Sequence, residues 1–137
     1  MLKSASSICA AFVVLASTMG GTAQQTPPAA RSESVKRTAL QRFEVPGTAY
    51  ETVIGIAEIA PNISIGRHTH PGPESGFIIE GGFELLIDGE PTRQLKAGHS
   101  YKVPPRTPHD AKTGSTGAKV IATYVVEKGQ PLSSPVK

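Results

Sequence analysis

The sequence predicts an all-β domain, and three observations carry that prediction. Fourteen Gly and twelve Pro punctuate the 137 residues, which suits many tight turns. Apolar and polar residues alternate over short runs, the signature of half-buried strands. No segment of useful length repeats its apolar residues with helical period. Short strands at near-regular spacing point to a sandwich or barrel. The length accommodates one domain, and the chain contains no internal repeat.

Residues 1–23 read as a secretion signal rather than as part of the fold. Lys3 supplies a positive start, Ile8 to Ala16 forms an apolar core, and Gly21-Thr22-Ala23 offers small residues for cleavage after Ala23. Nine apolar residues fall well short of the roughly 20 that cross a bilayer, so no membrane span is expected. The chain is therefore expected to be periplasmic or secreted. Cys9, the sole cysteine, lies in the removed segment, so thiol and disulfide chemistry drop out together. Residues 24–39 are polar, rich in Pro and Ala and without apolar periodicity, which predicts a disordered or loosely attached arm.

The domain is expected over residues 40–130. Phe43 to Val45 predicts a strand, Pro46-Gly47 a turn, and Ala49 to Ala60 a longer strand. Phe77 to Glu80 and Phe83 to Asp88 predict two more, the second with Phe83, Leu85 and Ile87 on one face. Asp88-Gly89 signals a hairpin turn. Ala118 to Val126 is apolar on both faces and predicts a central strand. Residues 131–137 are left as a C-terminal tail. The fourteen basic and eleven acidic residues are interleaved, with no basic run and no aromatic interleaving, so no nucleic-acid partner is expected.

The histidines carry the functional reading. In His68-Thr69-His70 the two imidazoles project from one face of an extended strand and can reach a common point. The stiff turn Pro71-Gly72-Pro73 can return Glu74 to that point as a harder ligand. A His-x-His pair is also common as surface decoration, and on spacing alone both readings stand.

The stretch Asn62-x5-His68-x-His70-x3-Glu74-x6-Gly81 resembles the first motif of the cupin family, G-x5-H-x-H-x3-E-x6-G, with only the opening Gly missing. Gly98-x5-Pro104-x-Arg106-x2-His109-x3-Thr113 resembles the second motif, G-x5-P-x-G-x2-H-x3-N, at its first Gly, its Pro and its His. The resemblance implies a double-stranded β-helix, or jelly-roll cupin barrel, in which His68, His70, Glu74 and His109 converge on one divalent transition metal. Asn62 replaces a Gly at an expected positive-φ turn position, which Asn tolerates best among other residues. Arg106 replaces a second turn Gly. Thr113 replaces Asn and is expected to touch no ligand. His99 lies outside the motif positions and is expected at the surface.

Three imidazoles and one carboxylate can leave coordination positions open for water, oxygen or substrate. Nitrogen-rich sites favour copper and zinc, so zinc or copper is expected on the isolated protein, with manganese, iron and nickel as alternatives. Glu58, Tyr101, Arg106 and Tyr124 are the candidates for facing the cavity, although an Arg favours solvent. Two functions remain open at this point. One is a small metal-dependent enzyme acting on a small metabolite as dioxygenase, isomerase, lyase or decarboxylase. The other is a binding or sensing module that holds a metal or small molecule without turnover. Cupins of this resemblance commonly pair through an N-terminal strand, so a homodimer through Leu40 to Val45 is expected.

Overall fold

The computed structural model describes residues 34–137, in which eight strands and no helix form one curled sheet. The secretion signal expected over residues 1–23 lies outside the described residues. Of the arm expected over 24–39, the part from Val35 onward is strand: β1 runs Val35–Glu44 and pairs antiparallel with β2, Tyr50–Ile59. The turn between them has Gly47 at φ 74° and is locked by Thr48, whose Oγ1 donates to the Val45 carbonyl at 2.9 Å. The arm and domain boundaries are therefore corrected. Val-Lys-Arg-Thr-Ala carries no apolar alternation because β1 is an edge strand, and its order comes from backbone pairing with β2.

After β2 come β3 (His68–Thr69), β4 (Glu74–Ile87), β5 (Arg93–Lys96), β6 (Ser100–Val103), β7 (His109–Glu127) and β8 (Ser134–Pro135). The two strands expected over 77–80 and 83–88 are one, β4, bent at Gly81-Gly82. Its first part, from Glu74, pairs with the second half of β7, and its last part, to Ile87, pairs with the first half. Both strands therefore run away from one end of the barrel, bend, and come back to it. Glu74 opens β4 opposite Tyr124, while Ile87 closes it opposite His109. β7 lies between β2 and β4, as its apolar faces predict.

Phe83, Leu85 and Ile87 are buried together, with Ile78, Val103 and Val120 completing the core. The residues treated as a tail are not detached. β8 pairs with β3 at His68↔Pro135 and Thr69↔Ser134, and Val136 N donates to the Arg67 carbonyl. Gly55, Ala57 and Ala122 present almost no side chain to the interior of the sheet, and a cavity of about 360 Å³ remains there. No helix among the described residues is long and apolar enough to cross a membrane.

Candidate metal centre

Each of the three histidines is fixed by its inner ring nitrogen. His68 Nδ1 donates to the Gly66 carbonyl at 2.7 Å, His70 Nδ1 to the Leu132 carbonyl at 2.6 Å, and His109 Nδ1 to the Thr107 carbonyl at 2.9 Å. A carbonyl only accepts, so the proton sits on Nδ1 and each Nε2 keeps a free lone pair. His68 and His109 face each other across the β3–β7 pairing, and one potential ligand atom from each of the three rings lies within 4.8 Å of the others. The Pro71-Gly72-Pro73 turn packs so closely that a Cβ on Gly72 would collide with the Val125 carbonyl. That contact delivers Glu74 into the same group.

Glu74 is 6% exposed, and its Oε2 lies 3.1 Å from His70 Nε2 and 3.3 Å from His109 Nε2. Despite these distances neither Nε2 makes a well-formed hydrogen bond, so the two buried nitrogens are left unsatisfied beside the carboxylate. Buried polar atoms seldom go unpartnered, and two converging beside a third imidazole and a carboxylate fit a cation. The residues present thus match a divalent metal: His68, His70 and His109 could hold it, with Glu74 within reach.

Glu74 is itself anchored by Tyr101, whose Oη donates to Oε1 at 2.7 Å. Burial opposes ionisation of Glu74, but His109, His70 and the Tyr101 hydroxyl outweigh it and hold the carboxyl well below the usual carboxylate range. Burial and then the Glu74 charge push the Tyr101 phenol up. The same two causes, opposed by Arg37, raise Tyr124. Burial lowers His68. His109 feels the same burial, yet the neighbouring Glu74 and the Thr107 carbonyl raise it.

Of the four cavity candidates, Tyr101 and Tyr124 line the cavity, and the Tyr124 ring packs on His70 with centroids 4.7 Å apart. Glu58 does not. It sits on the outer face of β2 and pairs with Lys36 at 3.4 Å and Lys119 at 3.6 Å. Arg106 is exposed at φ 56° and does not line the cavity. Its backbone N–H donates to the His70 carbonyl at 2.8 Å, so its main chain serves the site while its side chain does not. Asn62 takes the expected left-handed conformation at φ 57°. Thr113 touches no ligand. Its Oγ1 donates to the Ala60 carbonyl at 2.7 Å and accepts from Ile63 N at 3.0 Å, clipping the turn before His68. His99 is exposed, as expected.

Residues 55–127 match the family described as Cupin domain. The chain is a cupin. A curated relative, the dimethylsulfoniopropionate lyase DddW of Ruegeria pomeroyi, is 32% identical over 69 residues, which cover 50% of this cupin and 45% of DddW. Among solved structures, the DMSP lyase DddQ of Ruegeria pomeroyi superposes with a TM-score of 0.66 at 19% identity, covering 79% of this cupin and 54% of that chain. The polyketide cyclase RemF of Streptomyces resistomycificus gives 0.59 at 21% identity, covering 77% and 72%. This cupin thus spans about half the length of the two lyases. The structural likenesses support the cupin barrel itself.

Two contributors to the site had no signal in the sequence. Gly76 lies opposite Tyr101 across the β4–β6 pair, and a Cβ there would overlap the tyrosine ring. Its bare backbone is what lets Tyr101 cross to Glu74. The Leu132 carbonyl, 62 residues from His70, orients that imidazole.

Proposed function

We propose that this cupin is an exported metal-dependent enzyme of the lyase kind, acting on a small metabolite that bears a carboxylate. The observation that carries the reading is the cluster of three carbonyl-anchored imidazoles, two of them with Nε2 at the buried Glu74 carboxylate, beside an open cavity. His68, His70, Glu74 and His109 are the proposed ligands, with zinc or copper as the metal on the isolated protein. When bound, a divalent metal would supply Lewis-acid polarisation of a substrate carboxylate. Tyr101 keeps Glu74 ionised and in place. The apolar wall limits water around the substrate. Tyr124, beside His70 in the cavity, is the proposed base: burial and Glu74 hold its phenol protonated in the protein alone, and a bound divalent cation would favour loss of that proton to solvent. Among the reaction types open to such a site, the likeness to two lyases supports elimination: the Tyr124 phenolate would take the proton α to the carboxylate, the C–H bonding pair would form the double bond, and the β-substituent would depart with its bonding pair.

The test is to load the purified protein separately with zinc, copper, manganese, iron and nickel and offer β-substituted carboxylates, dimethylsulfoniopropionate included. Vinyl protons in the NMR spectrum are the expected readout, with Tyr124→Phe at least about 100-fold slower and its metal content unchanged. Binding without product under every metal would overturn the lyase reading in favour of a binding or sensing module. Export rests on the sequence of residues 1–23, and the mass of periplasmic protein, expected to begin after Ala23, checks it. Pairing of two copies through Leu40 to Val45 is supported by Leu40 and Phe43, which lie exposed on the edge strand β1. Sedimentation at micromolar concentration tests it.

A further inference from the structure

The three cations of β1 differ in what they meet. Lys36 pairs with Glu58 at 3.4 Å and Arg42 with Glu51 at 2.9 Å. Arg37 forms no salt bridge with any carboxylate among the described residues, and it is the one of the three that lines the cavity. Its register explains this. Arg37 stands opposite Ala57, with Ala39 opposite Gly55, and all four of these residues line the cavity. Arg37 is exposed, so it stands at the rim of this largely apolar cavity as a cation with no counter-ion on its own side, where the anionic group of an entering ligand can pair with it. Arginine suits that role because its planar fork takes a carboxylate through two parallel hydrogen bonds.

The charge of the site agrees. Three neutral imidazoles, the Glu74 carboxylate and a divalent cation would leave one net positive charge, and Arg37 adds a second at another part of the same cavity. Along β2 the position opposite Arg37 is Ala57, and the position opposite Tyr124 is Val53. Four residues of strand separate the two rows, about 13 Å between backbones at ~3.3 Å per residue. The long arginine side chain takes up part of that span, and a short carbon chain can bridge the remainder.

We propose that Arg37 is an anion-binding residue of the cavity, and that the preferred ligand is a short-chain molecule with two anionic ends, one at the histidine–Glu74 centre and one at Arg37. This deepens the proposed function, on which its metal-facing end rests. A ligand carrying a cationic sulfonium in place of the second anion is disfavoured, because it brings like charge to Arg37.

The test uses the full chain loaded with zinc and the series malonate, succinate, glutarate and adipate, each titrated calorimetrically against the monocarboxylate of the same length. At one chain length the dicarboxylate is expected to bind at least tenfold more tightly than its monocarboxylate. Arg37→Met, which keeps much of the aliphatic stem, is expected to reduce that preference to within twofold while the zinc content is unchanged. Arg37→Lys retains part of it. A tenfold preference surviving in Arg37→Met, or no preference at any length in the native chain, overturns the proposal. If the native chain takes up no zinc, the metal reading fails by itself. The same titrations on metal-free protein then decide on Arg37: dicarboxylate binding lost in Arg37→Met supports its role, and binding indifferent to the change overturns it.

Discussion

The two ends of the barrel are built from the same two strands and by opposite means. At the closed end β4 and β7 bend past each other on glycine. Gly81 and Gly117 both sit at φ 66°, a Cβ on Gly81 would collide with the Gly117 carbonyl, and one on Gly117 with the Ile59 carbonyl. The buried polar side chain near that bend, Thr113, is spent on backbone, its Oγ1 donating to the Ala60 carbonyl. At the other end the same strands begin and finish on Glu74, Tyr124 and His109, and polar side chains line an open cavity. The closed end makes the fold possible, whereas the mouth spends burial on groups that do not stabilise it. Two buried nitrogens without partners are a cost that the metal-free fold bears at the mouth.

Mutations should separate these roles. The largest effect is expected at the closed end. Gly117→Val combines a left-handed backbone with a steric collision and should cost about 3 kcal/mol or more, enough to leave little folded protein by urea titration. At the mouth, the double variant His68→Ala, His109→Ala should lose its metal altogether by elemental analysis, yet unfold no earlier than the metal-free native chain. Equal destabilisation by the two changes would erase the contrast. Gly76→Ala falls between, since it pushes Tyr101 off Glu74. It should lower stability by about 1–3 kcal/mol, and Tyr101→Phe, which removes only the hydroxyl, should weaken metal affinity about 10- to 100-fold with little loss of stability.

Metal binding should weaken as pH falls, because the cation must displace protons from the imidazoles. The sign follows from Glu74. It raises His109 above its ordinary value, so competition begins there at a higher pH than at His68, which burial lowers. Competition titrations from mildly alkaline to mildly acidic pH should show Glu74→Gln moving that onset downward. The smallest effects are expected from Glu58→Ala and Arg106→Ala. Both face solvent, and each should change stability by no more than about 0.5 kcal/mol and leave metal content as it was.

How much of this was legible in the sequence depended on whether the signal was local. β2 and the second half of β7 announced themselves through β-branched residues, and the spacing of His68, His70, Glu74 and His109 marked the residues the fold brings together. The short strands β5 and β6 did not, since Arg-Gln-Leu-Lys and Ser-Tyr-Lys-Val carry one or two apolar residues each. β4 read as two strands because Gly81-Gly82 looks like a break when it is a bend. Glu58 was misplaced because β2 is apolar on both faces. Val53 and Ile59 are buried, Ile54 and Ile56 are half-buried with Ile56 also at the cavity, and alternation cannot tell a reader which face Glu58 joins. Tyr101 reaches Glu74 only because Gly76 lies across from it, a fact of register rather than of composition.

The Leu132 carbonyl that orients His70 also imposes an order of events on the chain. His68, His70 and Glu74 emerge from synthesis together and His109 some way behind, yet His70 has its ring set only when residue 132 has followed and β8 has closed against β3. A nascent chain lacking that segment would offer a loose His70 imidazole to any passing cation, with its wrong nitrogen as free to bind as the right one. Any selection among metals therefore belongs to the finished protein.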